Sequence, residues 1–291
     1  MFDPKTIVDG VVLPAIVCTA VLLTALGLQR FVKGQFLGRS APALALGSAV
    51  MAAQMGLHGW PGWLPGEAWQ WMAHLALAAA LVAMVTVIDA VPTVIHLILR
   101  LALSFAVIFP VLRPIVQFEW DATESMAHLS VLTLLCFVYG FMLQKFSCRA
   151  GDIQSGLFCV CLAGSTALVL ALSGSLSLAH LAGSLPSALM VAVVLSAWLR
   201  SKIIFGPAVP VLVILLVFLW LNGYYYAQLT ITNAALLVGS GIMAWIMQTI
   251  PRAKPASWKT AAVRLVPALV PLAVAVTLAA FDFAKDMGSP Y

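Results

Sequence analysis

Ile203-Ile-Phe-Gly-Pro-Ala-Val-Pro-Val-Leu-Val-Ile-Leu-Leu-Val-Phe-Leu-Trp-Leu-Asn222 carries no charged side chain. At about 1.5 Å per residue, a helix of this length spans about 30 Å, the thickness of a bilayer's hydrocarbon core. A buried strand would be only about 4–8 residues long and bounded by turn residues. The stretch therefore reads as a membrane-spanning helix. Working outward, nine more segments of this kind appear, so the spans fall at approximately 7–29, 40–57, 69–89, 92–112, 125–144, 155–174, 178–199, 203–222, 231–250 and 262–281.

Composition agrees. The 291 residues are 63% hydrophobic and 9% charged, with a mean hydropathy of +1.06. A soluble domain carries about 25% charged residues. So few charges cannot coat a water-facing surface, and the surface must face lipid. No stretch between apolar segments exceeds roughly 15 residues, too short to fold alone. The expectation is one integral membrane domain over residues 1–291: an all-α, polytopic transmembrane helix bundle of about ten spans.

Charge placement orients it. With the N-terminus outside, Arg30, Lys33, Arg39, Lys145, Arg149, Arg200, Lys202, Arg252, Lys254, Lys259 and Arg264 all fall inward. Only Lys5, Arg113 and Lys285 fall outward, and Arg100 lies within a span. Asp3, Asp9, Glu67, Glu119, Asp121, Glu124, Asp282 and Asp286 lie outward or at that border. Cationic loops resist translocation, so this asymmetry predicts both termini outside. One mistaken span would invert every later loop. Trp60, Trp63, Trp69, Trp71, Trp120 and Trp220, with Tyr224, Tyr225 and Tyr226, gather at the outer border; Trp198, Trp245 and Trp258 mark the inner one. Amphipathic rings favour the headgroup level.

Local signals refine the layout. His58-Gly-Trp-Pro-Gly-Trp-Leu-Pro65 cannot continue a helix, and Leu172-Ser-Gly-Ser-Leu-Ser177 reads as a short outer hairpin. Pro207, Pro210, Pro267 and Pro271 stand near the inner ends of spans eight and ten, where kinks are expected. Gly164 with Ser165, Gly183 with Ser184 and Ser187, and Gly239 with Ser240 and Gly241 suit close helix approach. Proline positions do not align between the two halves of five spans, so an inverted repeat has parity in its favour and nothing else.

Several function classes fall away. The net charge of +5 forms no basic stripe and follows from the inward loops, so no nucleic-acid partner is implied. Cys18, Cys136, Cys148, Cys159 and Cys161 avoid outward loops and imply no disulfide framework; Cys159 and Cys161 point in different directions on a helix. Met1-Phe-Asp-Pro-Lys5 is barely basic and no small-residue cleavage site follows, so the first apolar run is read as a retained span. P-loop, Rossmann, G-x-S-x-G and kinase patterns are absent. No catalytic residue and no cofactor is expected, and the mid-membrane acidic relay of an ion-coupled pump is missing.

Arg100 is the one basic residue well inside an apolar run, Thr93 to Leu112. A central charge costs about 3 kcal/mol on insertion scales, which makes such residues functional candidates. His96 lies one turn earlier on the same face, and Asp89 precedes the turn within reach of either after a shift in register. Arg100, His96 and Asp89 are the candidate substrate-binding set. Two readings stand: a snorkelling or ion-paired structural arginine, about 12 Å from the inner end, or a contact for a substrate or headgroup. At the outer border, His58, His74, His128 and His180 accompany Glu67, Glu119, Asp121 and Glu124, and would form a polar pocket if spans three, five and seven converge. No histidine pair has i, i+3 or i+4 spacing, so no metal site is expected.

Ser175-Leu-Ser-Leu-Ala-His-Leu-Ala-Gly183, the run Pro210 to Tyr226 ending Leu-Asn-Gly-Tyr-Tyr-Tyr, and Arg264-Leu-Val-Pro-Ala-Leu-Val-Pro271 carry a resemblance. They resemble a group of bacterial polytopic inner-membrane proteins for which no activity is assigned. The resemblance covers about half the chain, implies a multi-pass location in a bacterial inner membrane, and transfers no functional residue. Partners are then the lipid bilayer and other membrane proteins. The expected function is a transporter-like or lipid/small-molecule-handling bundle; a non-catalytic membrane subunit or scaffold is the alternative, and an intramembrane enzyme on the outer His/Glu cluster is a third.

Overall fold

The computed structural model of the chain describes residues 4–31, 36–199, 205–249 and 258–288. Lys33, Arg200, Lys202, Arg252 and Lys254 of the inward basic set lie outside the described residues. Among the described residues there is no strand, and ten helices are long and apolar enough to cross a membrane. Counting the turns that lead into the first and third, they contain α1 (Leu13–Phe31), α2 (Phe36–His58), α3 (Met72–Val85, within the span Ala68–Val85), α4 (Thr93–Phe118), α5 (Ala122–Ala150), α6 (Asp152–Leu172), α7 (Leu176–Leu199), α8 (Ala208–Tyr226), α9 (Ile231–Thr249) and α10 (Trp258–Gly288). Such a set is compatible with an integral membrane helix bundle.

Helix α1 is led in by a helical turn, Pro4–Ile7, and a π turn, Val8–Val12. Pro14 has no amide hydrogen for the Gly10 carbonyl, and the Leu13 amide bonds back to Val8, five residues earlier, so the ladder shifts register there. A 3-10 turn, Ala68–Trp71, opens α3. Pro207 caps α8 and Pro210 stands in its first turn, where an amide hydrogen has no intrahelical partner anyway. The kink expected in span eight is therefore unnecessary. Helix α4 runs on through Pro110 and Pro114 to Phe118, beyond the predicted end. The α6–α7 hairpin is closed by Gly174 at φ +88°, with Ser175 N–H donating to the Leu170 carbonyl at 3.2 Å. A left-handed glycine at this position ends the helix without a Cβ clash.

Helix α8 is the centre of the bundle. Fourteen of its 19 residues are buried, and it packs against α2, α3, α4, α5, α6 and α7, with a slighter contact to α9. A helix apolar all round is one buried all round. Lipid is as apolar as leucine, so this burial gains little from the hydrophobic effect; close packing and interhelical hydrogen bonds hold it. Trp220 donates its indole N–H to Thr166 Oγ1 of α6 at 3.1 Å and is only 5% exposed. It belongs to the core, not to the outer aromatic belt predicted for it.

Around α8, antiparallel hairpins pack closely: α1 on α2, α2 on α3, α6 on α7 and α9 on α10. Small residues allow it, at positions only partly foreseen. A Cβ on Gly47 would lie 2.8 Å from the Ala76 carbonyl oxygen, and one on Gly241 would lie 2.8 Å from the Tyr139 ring and 2.7 Å from Leu143. Gly183 and Gly239 face open space and serve no such approach.

Candidate functional site

On the orientation expected from charge placement, the inner polar site begins with α4. Arg100 stands about 10 Å along it from Thr93. Its guanidinium donates to Gln144 Oε1 of α5, while its Nε is buried with no partner. Ser104 Oγ donates to the Arg100 carbonyl at 2.9 Å, and a cavity of about 30 Å³ opens beside them, lined by Arg100, Ser104, Cys136, Gly140, Phe141 and Pro210. That is room for about one water molecule, not for a substrate. Lys145 Nζ sits 5.3 Å from the centroid of Phe141, so a second cation flanks the same lipid-facing surface.

His96 is half-buried, with Nε2 unpartnered, one turn before Arg100. Asp89 lies elsewhere: it is exposed and meets Arg39 of α2 at 3.4 Å, not Arg100 or His96. The only other acid near the inner ends, Asp152, accepts the Phe205 amide at 3.2 Å through Oδ1. The remaining eight acidic residues lie toward the opposite ends of their spans. Arg100 therefore has no carboxylate counter-ion among the described residues. Sequence alone placed Arg100 at this depth; it missed Gln144, whose only signal was an amide near the inner end of an otherwise apolar span.

Between α5, α8 and α9 runs a lateral cleft of about 360 Å³, lined almost wholly by apolar side chains such as Leu135, Val217 and Val238 and closed at its outer end by Tyr224 and Tyr225. Tyr139 borders it with a buried hydroxyl that lacks a partner.

The outer ends hold a cavity of about 530 Å³. Gly59 and Gly62, at φ +78° and +79°, turn the chain after α2. The returning segment brings Glu67 and Trp69 against His58, whose ring centroid lies 4.6 Å from that of Trp69. Trp69 donates its indole N–H to the Glu67 carboxylate. Asn222 and Tyr226, one turn apart on α8, form another wall, and Ser175 and Ser177 come from the α6–α7 turn. Asn222 is 2% exposed and donates to the Phe218 carbonyl at 2.9 Å, while Tyr226 donates to the Val111 carbonyl of α4 at 2.7 Å. One turn beneath His58, Gln54 is fully buried with both amide heteroatoms unpartnered.

This cavity is not the pocket predicted from spans three, five and seven. Those helices have no substantial mutual packing; α8 lies between them. Of the outer ionisable cluster, His58 and Glu67 line this cavity, and His180 stands within electrostatic reach of His58. His74 sits against Trp60 and Trp71, and His128 stacks on Trp120 at 4.3 Å. Among the described residues no three His, Cys, Asp or Glu side chains are grouped to hold a metal ion. No protein family, curated protein or solved structure matches the chain.

Proposed function

We propose that the protein is a lipid-handling bundle of a bacterial inner membrane, which seats an anionic headgroup of the inner leaflet on Arg100. One observation carries this reading. A guanidinium set into the hydrocarbon region, with a neutral amide as its hydrogen-bond partner and no carboxylate near among the described residues, calls for an anion from outside the chain. Basic sites between helices on the cytoplasmic side suit lipid phosphates, and Lys145 beside Phe141 adds a second cation at that level. The inward Lys and Arg excess supports placing both termini on the outer side. The group resembled by the later half supports the bacterial setting.

A scaffold subunit is the second reading. It draws on the tight packing about α8, which buries fourteen of that helix's 19 residues against its neighbours. The two readings part in native mass spectrometry of protein released from nanodiscs of mixed zwitterionic and anionic lipid. Wild type is expected to retain an anionic lipid and Arg100→Gln to lose it, with retention falling about tenfold. Equal retention by both proteins refutes the headgroup reading and leaves the scaffold. A reporter enzyme fused after Tyr291 that is active only in the cytosol overturns the orientation.

A further inference from the structure

We infer that the outer cavity is a binding site for a primary ammonium group, carried by a free amine or by a lipid headgroup. The inference stands on the other end of the bundle from Arg100, and neither depends on the other.

The donors and acceptors lining the cavity set what it can hold. Asn222 spends an amide hydrogen on the Phe218 carbonyl, Tyr226 its hydroxyl hydrogen on Val111, and Trp69 its indole hydrogen on Glu67. What these groups still offer the cavity is mainly oxygen: Asn222 Oδ1, beside that amide's second hydrogen, the Tyr226 phenol oxygen and the Glu67 carboxylate. Ser175 and Ser177 adapt, since a hydroxyl donates or accepts as needed. No lysine or arginine lines the cavity, and Glu67 gives it one carboxylate beside the His58 ring. Trp69 and Tyr226 add aromatic faces, whose quadrupoles attract a cation. A site that accepts hydrogen bonds, carries one carboxylate and is walled by rings selects a donor-bearing cation. Phosphate and carboxylate would instead face the like charge of the Glu67 carboxylate. At about 530 Å³ the cavity lies within the range of small-ligand sites, and the Trp69–Glu67 bond holds the indole and carboxylate in place before a ligand arrives.

The test compares ethanolamine with 1-propanol, its neutral isostere, by thermal shift of the purified full chain. The same melts are run in nanodiscs with and without phosphatidylethanolamine, for wild type and Glu67→Gln. Glutamine keeps an oxygen to accept the Trp69 indole hydrogen, so the loop retains that bond. Stabilisation by ethanolamine, absent with 1-propanol and weakened at least tenfold in apparent affinity by Glu67→Gln, supports the site with a free amine as ligand. Stabilisation only by the ethanolamine lipid, lost in Glu67→Gln, supports a headgroup as the source. Equal effects of ethanolamine and 1-propanol, or no effect of either amine source on wild type, overturn the inference. The wild-type comparison decides even if the variant folds poorly.

Discussion

Replacing Gln144 with leucine tests the inner polar site most directly. When a helical membrane protein unfolds within the bilayer, its helices stay inserted, so the cost of placing Arg100 in the hydrocarbon is common to both states. What changes is the partner. Interhelical hydrogen bonds in bilayers are worth about 0.6 kcal/mol on average and up to about 1.7. A bond from a charged donor belongs at the upper end. Gln144→Leu removes the acceptor from the Arg100 guanidinium, and Arg100→Leu leaves the Gln144 amide alone. Each single change is expected to cost about 1–2 kcal/mol. The double variant should cost little more than either, giving a coupling energy of about 1–2 kcal/mol, against an additivity error of about 0.3–0.5. Steric-trap unfolding in bicelles reads these quantities. If the two single effects simply add, the two side chains do not interact and the inner site as described is wrong.

Two further outcomes follow from particular contacts. Tyr226→Phe removes the hydroxyl that bridges α8 to the Val111 carbonyl of α4 and is expected to lower stability by about 1 kcal/mol, measured by thermal melting in detergent; an unchanged melt refutes that bond. Gly241→Leu drives a side chain into Tyr139 and Leu143 across the α5–α9 contact and is expected to cost about 1–3 kcal/mol, whereas Gly239→Leu, facing open space, should be nearly silent in the same melt.

The spans were legible because a helix in lipid needs an uninterrupted apolar length, and hydropathy measures that length directly. All ten predicted segments coincide with helices, displaced by a few residues at their ends. The centrality of α8 was not legible. Hydropathy scores a leucine facing lipid and a leucine facing another helix alike, so Leu212 in the core and Leu134 at the surface read the same. Trp220 was misplaced for a related reason. Its position near the end of an apolar run suggests the interface, and only Thr166, more than fifty residues earlier, shows otherwise. Arg100 announced itself by its charge, whereas its partner came from another helix. The outer cavity joins His58 and Glu67 to Asn222 and Tyr226, which are far apart in sequence. His58 and Glu67 were visible as ionisable groups at the outer border, whereas Asn222, the lone asparagine in the otherwise apolar run of span eight, went unread.

The central position of α8 bears on how the chain is made. The ribosome delivers helices in order, and those that finally enclose α8 (α2 to α7) emerge before it. They must wait in the membrane with their inner faces loosely matched, because the element that fills the space between them has not been synthesised. Final packing is therefore late, and a nascent chain halted before Ala208 exposes incompletely joined helices to quality-control proteases. Degradation of such fragments, rather than their accumulation, is the expected fate of every truncation upstream of that helix.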